Sequence, residues 1–249
     1  MTPPGLDRAV SIVSPGEGEG EGAIQGGMMD TRKYLAELVG TFLFLTIGYS
    51  SVPAAAAAGV STLVVVPFAF PLGLLAAIFA VGHISGGHFN PAVTIAAVLD
   101  KRTDTTDAIG YILAQVIGAI AAAAVVYVVA GQAAVAAGIT KPGGGVTDVG
   151  ALILEIVFTA NFILVILVST KRAPGLAPLA IPLTLVGIHF AAASLSGASV
   201  NPARSIGSAL VGGDLTGLWI YIVAPIIGAI GGWALFRVLD EEDVEEVEA

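Results

Sequence analysis

Two ten-residue segments carry most of the polar chemistry of this chain: Ser85-Gly86-Gly87-His88-Phe89-Asn90-Pro91-Ala92-Val93-Thr94 and Ser196-Gly197-Ala198-Ser199-Val200-Asn201-Pro202-Ala203-Arg204-Ser205. The Ser, the first Gly and the Asn-Pro-Ala triplet recur at the same offsets. Asn is a favoured N-cap, and Pro at the first helical position gives up only an amide that would have been orphaned, so each copy reads as a helix start. If each cap uses the Asn side-chain oxygen, the amide NH2 groups of Asn90 and Asn201 remain free to donate. Upstream, the carbonyls of Gly86, Gly87 and His88 and of Gly197, Ala198 and Ser199 form candidate ladders of acceptors, because glycine and small residues let backbone approach closely. This is chemistry for reversible hydrogen bonding to a small polar species, not for making or breaking bonds.

Other polar residues either match between the copies or break the match. Glu37-Leu38-Val39 with Thr41 corresponds to Glu155-Ile156-Val157 with Thr159. Ionisable groups in such apolar surroundings are expensive and usually functional. Each Glu is expected to brace the Asn-Pro-Ala segment of its own half by accepting backbone N–H bonds; a proton-relay pair is the competing reading. Val93 is matched by Arg204, whose fork of donors suits a filter that excludes cations. His189, twelve residues before Asn201, is matched by Ile78. Cysteine is absent, which removes disulfides, thiol catalysis and thiol metal sites, and the three His are scattered. No metal and no cofactor are expected, and with no basic patch there is no support for nucleic-acid binding.

The elements that must hold these residues are membrane helices. Of the 249 residues 56% are hydrophobic and 12% charged, and the mean hydropathy is +0.92, too apolar for a soluble domain. Stretches near 34–52, 60–82, 108–130, 149–169, 176–195 and 217–239 are each long enough for a span of roughly 20 residues. An all-α polytopic membrane protein with six spans follows, both termini on one side. Arg32-Lys33, Lys101-Arg102, Lys171-Arg172 and Arg237 place that side in the cytoplasm by the positive-inside rule. The net charge of -9 belongs to the tails: a Gly/Glu-rich segment over 1–30, expected to be disordered, and an acidic one over 240–249. Between them the membrane domain, 31–239, divides into repeats 31–131 and 149–239 joined by a loop, 132–148. Three spans per repeat turn the second copy upside down. From Pro91 to the charged boundary at Asp100 there is room for about 12 Å of helix, under half of a bilayer core of about 30 Å. Each Asn-Pro-Ala segment is therefore a re-entrant half-helix, and the two N-termini meet near the midplane, where their partial positive charge repels cations, hydronium included.

These residues resemble the aquaporin, or major intrinsic protein, family over residues 31–239. Paired Asn-Pro-Ala motifs in inverted halves, with Arg after the second, carry the resemblance, and Gly82 to Thr94 is similar to its bacterial and plant water-selective branch. The resemblance implies a right-handed bundle of six helices and two half-helices, a pore in each subunit, a homotetramer in the cell membrane, and water as permeant. Carried over residue by residue, it implies a selectivity filter of Phe70, His189, Ala198 and Arg204. Glycerol facilitators of the family typically have Gly in place of His189 and Asp in place of Ser205. Ala198, smaller than the usual Thr or Cys, and Tyr221-Ile222, in place of an aromatic pair, leave ammonia, hydrogen peroxide or other small neutral solutes as alternative permeants, and a glycerol channel is the rival that His189 and Ser205 disfavour. The absence of cysteine predicts that pore-blocking mercurials leave flux unchanged; inhibition reversed by a thiol reductant contradicts this.

Overall fold

The computed structural model describes residues 31–240, so the tail over 1–30 and the acidic residues after Asp240 lie outside the described residues. Runs rich in Ala, Leu, Val and Ile fold as helices, the only open-chain structure that satisfies every backbone polar group without water. In chain order they are α1 (Thr31–Ala57), α2 (Thr62–Ala77), a π-helical turn (Ile78–Gly82) leading into α3 (His83–Ser85), and α4 (Pro91–Leu99). Then come α5 (Thr105–Ala130), a short α6 (Gln132–Ala136), α7 (Asp148–Arg172), α8 (Ala177–Ala192), α9 (Pro202–Gly212) and α10 (Ile220–Asp240). Five stretches, α1, α2 through α3, α5, α7 and α10, are long and apolar enough to cross a membrane. The fifth expected span, 176–195, is shorter as a helix: α8 has 16 residues, about 24 Å. It stops because residues 193–196 turn, with the amides of Leu195 and Ser196 both bonded to the Ala192 carbonyl.

Burial is inverted relative to a soluble protein. Glu37, Gln115 and Glu155 are buried, whereas Val129 and Leu183 are 80% and 67% exposed, as expected for a chain whose outer solvent is lipid. Helix α1 packs against α2 and α5, and α7 against α8 and α10, while α2 on α8 joins the two repeats. The half-helices cross over: α4 packs most extensively on α10 of the other repeat, and α9 on α5. Each repeat thus supplies the wall against which the other's re-entrant segment is seated.

Close helix approach depends on matched glycines. A Cβ on Gly118 of α5 would lie 2.6 Å from the Leu38 carbonyl oxygen of α1, and one on Gly228 of α10 would lie 2.5 Å from that of Ile156 on α7. Gly231, one turn away, has nothing nearer than 4.0 Å. Gly228→Val is expected to destabilise the bundle by about 1–3 kcal/mol through overpacking, with Gly231→Ala unchanged within about 0.5 kcal/mol. Thermal unfolding in detergent checks this; equal melting temperatures for the two variants would remove the close-approach explanation.

Candidate functional site

Both Asn residues adopt extended backbone and cap their half-helices. Asn90 Oδ1 accepts from the Ala92 amide at 2.9 Å, and Asn201 Oδ1 accepts from Ala203 at 3.0 Å and Arg204 at 3.3 Å. The expectation that both NH2 groups stay free needs correction. Asn90 Nδ2 donates to the Val200 carbonyl at 2.8 Å, and Asn201 Nδ2 to that of Phe89 at 3.0 Å. An amide nitrogen has two donors, so each Asn clasps the opposite loop with one and keeps the other. The clasp arises because inversion sets the residue before each Asn beside the Asn of the other half.

Those preceding residues are strained. Phe89 and Val200 have φ of 48° and 44°, in the left-handed region that costs of order 1–3 kcal/mol for a non-glycine residue. The two buried glutamates hold them there. Glu37 accepts from the amides of His88 at 2.9 Å and Phe89 at 2.7 Å and from Ser85 Oγ at 2.7 Å. Glu155 does the same for Ser199 at 2.9 Å, Val200 at 2.8 Å and Ser196 Oγ at 2.7 Å. Each carboxylate thus accepts from two successive backbone amides and a serine hydroxyl, which pins the loop of its own half.

Two supporting residues had no role in the sequence reading. Gln115 of α5 donates to Glu37 Oε2 at 2.7 Å and to Thr94 Oγ1 at 2.9 Å; its repeat counterpart, Pro225, has no side-chain donor. Tyr49 of α1 donates its hydroxyl to the Arg204 carbonyl, and its ring meets Phe70 edge-on at 5.9 Å. A buried amide and a buried hydroxyl in apolar helices were the signal, since such groups need partners.

A cavity of about 300 Å³ runs past these segments, lined by His88, Asn90, Asn201, Phe70, His189 and Arg204 among others, with Thr103 and Thr170 at one end. Gly86, Gly87 and Ser199 also line it; Gly197 and Ala198 do not, so the side chain of Ala198 is not part of this wall. The loop carbonyls on residues 86–88 and 197–199 accept no backbone hydrogen bond from another described residue. Phe70 and His189 stack at 5.5 Å, and the Arg204 guanidinium lies 5.0 Å from the Phe70 ring. Gly48 makes room for that ring, since a Cβ there would sit 2.5 Å from it. His189 Nδ1 lies 2.9 Å from the Leu185 carbonyl. A carbonyl only accepts, so Nδ1 carries the proton and Nε2 of the neutral ring is an acceptor. Nε2 of His189 and Nε and Nη1 of Arg204 are buried and find no partner among the described residues. One acceptor and two donors therefore face a space in which a small molecule with both capacities would satisfy them.

Comparison with known proteins shows the family. Residues 27–236 match the family model described as Major intrinsic protein. The chain is 43% identical over 236 residues to Aquaporin Z of Rhodopseudomonas palustris, covering 88% of this chain and 98% of that one. Against Aquaporin Z of Photorhabdus laumondii the identity is 45% over 228 residues, covering 85% and 98%. Glycerol uptake facilitator protein-like 6 of Lactiplantibacillus plantarum is 43% identical over 223 residues, covering 85% and 100%. The X-ray structure of the aquaglyceroporin from Plasmodium falciparum superposes with a TM-score of 0.77 at 23% identity, covering 83% of this chain and 95% of that one, and so shares the fold. The chain is a multi-pass membrane protein that belongs to the major intrinsic protein family.

Proposed function

We propose that the chain is a passive, water-selective channel, with water moving in single file down an osmotic gradient and protons and ions excluded. The observation that carries this is the trio of unpartnered polar atoms of cavity-lining residues, His189 Nε2 with Arg204 Nε and Nη1, beside the Phe70 ring. Burial of such groups without partners costs about 1–3 kcal/mol each, and a water can relieve both residues by donating to the imidazole and accepting from the guanidinium. The remaining amide donor of each Asn then draws the water oxygen at the middle, turning its hydrogens toward the loop carbonyls. A chain of waters pointing away from the centre in both directions cannot pass a proton along. Arg204 and the two half-helix N-termini add positive charge against cations. The 43–45% identity to two proteins named Aquaporin Z supports the same reading.

The second reading, a channel for glycerol or another small neutral solute, is favoured by the likeness to a glycerol uptake facilitator-like protein. His189 argues against it, because its ring takes the room that a carbon chain would need beside Phe70. We further propose a homotetramer in the cell membrane with both termini cytoplasmic. Support for the orientation comes from the basic residues, which gather at one end of the bundle through Lys33–Asp107 at 2.5 Å, Arg102–Thr170 and the pairing of Lys171 and Arg172 with Asp240; the tetramer rests on the family resemblance.

Stopped-flow light scattering on proteoliposomes separates the readings. The wild type should shrink fast under an impermeant osmolyte and re-swell slowly in glycerol, and His189→Gly should raise glycerol entry about tenfold or more, the scale of a lost steric and desolvation barrier of 1–2 kcal/mol. Glycerol entry as fast as water in the wild type would favour the facilitator. Water flux that follows an imposed pH gradient would revive the proton-relay reading of Glu37 and Glu155.

A further inference from the structure

Arg204 is one of two arginines near the half-helices that one copy of the repeat has and the other lacks. Arg102 stands twelve residues after Asn90, and twelve residues after Asn201 the chain has Gly213. The departure has structural content. Arg102 Nε donates to Asp100 Oδ2 at 2.6 Å, Nη1 to Thr170 Oγ1 at 2.6 Å and Nη2 to the Leu167 carbonyl at 3.3 Å. Its guanidinium lies 5.7 Å from the ring of Phe236. Leu167 and Thr170 belong to α7 and Phe236 to α10, so one side chain ties the end of the first half-helix to two helices of the second repeat. At the opposite face the comparable tie is the pair Lys141–Asp214 at 2.5 Å, whose side chains are 48% and 36% exposed.

Arg102 and Thr170 line the end of the pore cavity, and both also line a separate cleft of about 370 Å³ with Asp100, Lys171, Phe236 and Asp240. We propose that Arg102 is a partition that sets the aperture of the pore at this mouth, walling it from the lateral cleft so that bulky solutes stop here rather than at Arg204. The proposal rests on the pore reading above. The partition acts through size: the carboxylate of Asp100 offsets the guanidinium charge, while the planar fork with three directed donors fixes the side chain across the gap. Lysine, a single ammonium on a flexible stem, can reach one of these partners at a time. Thr170 is the hinge post, since its hydroxyl accepts from Arg102 and donates to the Ile166 carbonyl at 2.6 Å.

The cysteine-free chain makes a single reporter thiol possible. Val93→Cys, one turn inside α4 and on the cavity wall, is introduced into the native, Arg102→Ala, Arg102→Lys and Thr170→Val backgrounds. Labelling rates of the intact protein in detergent are measured with a small methanethiosulfonate and a bulky maleimide, with size-exclusion profiles and melting temperatures alongside. The small reagent should react at similar rates in all four. The bulky reagent should react about tenfold faster in Arg102→Ala, the scale of one lost charge-assisted hydrogen bond, with Arg102→Lys and Thr170→Val between. If Arg102→Ala does not fold, the rise in Thr170→Val decides. Equal bulky-reagent rates in every folded background would overturn the partition while small-reagent labelling preserves the pore. Failure of the small reagent to label Val93→Cys in any background would overturn both.

Discussion

The reciprocal clasp between the two asparagines and the opposite loops is the constraint on which the rest of this molecule depends. Two re-entrant segments bring non-helical backbone into the middle of an apolar bundle, where every unpaired polar group is costly. Asn90 and Asn201 meet that cost with one side chain each: the oxygen caps its own helix, one amide hydrogen holds the other half's loop at 2.8 and 3.0 Å, and one donor is left over. The loops can offer their carbonyls to this bond because Phe89 and Val200 take left-handed backbone, and they keep that backbone because Glu37 and Glu155 accept their amides. Brace, strain, cap and clasp are one connected unit in each half.

Symmetry explains the support, and its violations make the two ends of the cavity differ. The matched features, the two Glu braces, the matched glycines and the two caps, build a scaffold that is the same seen from either face. Arg204 and His189 replace Val93 and Ile78 in one copy only, so the donor and acceptor they present stand at one end of the cavity. Gln115 is another one-sided addition: it gives the first brace a fourth donor, whereas Thr140 of the connecting loop pairs with Ser205 at 2.7 Å in the second half. An inverted repeat with local departures thus supplies a channel whose middle is symmetric and whose ends differ.

Much of this was legible in the residues themselves because it rests on local rules. Asn followed by Pro dictates a capped helix start, the distance to the charged boundary limits α4 to 9 residues, and matched Glu residues in apolar sequence demand donors. What escaped reading depends on the juxtaposition of distant segments. Which amide hydrogens of Asn90 and Asn201 are spent on the clasp follows from how the halves face one another across more than a hundred residues of chain. Tyr49 reaches the carbonyl of Arg204 only through the long-range packing of the two repeats, and Ala198, in left-handed backbone, does not line the cavity. Helix α8 ends before its apolar sequence does because residues 193–196 turn on the Ala192 carbonyl, a geometry that composition cannot register.

Whether capped half-helices meeting at the middle pass water and stop protons is decided by recording osmotic water permeability and proton flux in the same proteoliposomes over a range of temperatures. The geometry predicts water permeability far above that of protein-free vesicles with a shallow temperature dependence, and proton flux no greater than theirs. Water permeability at the protein-free level, or protons moving in step with water, would contradict it.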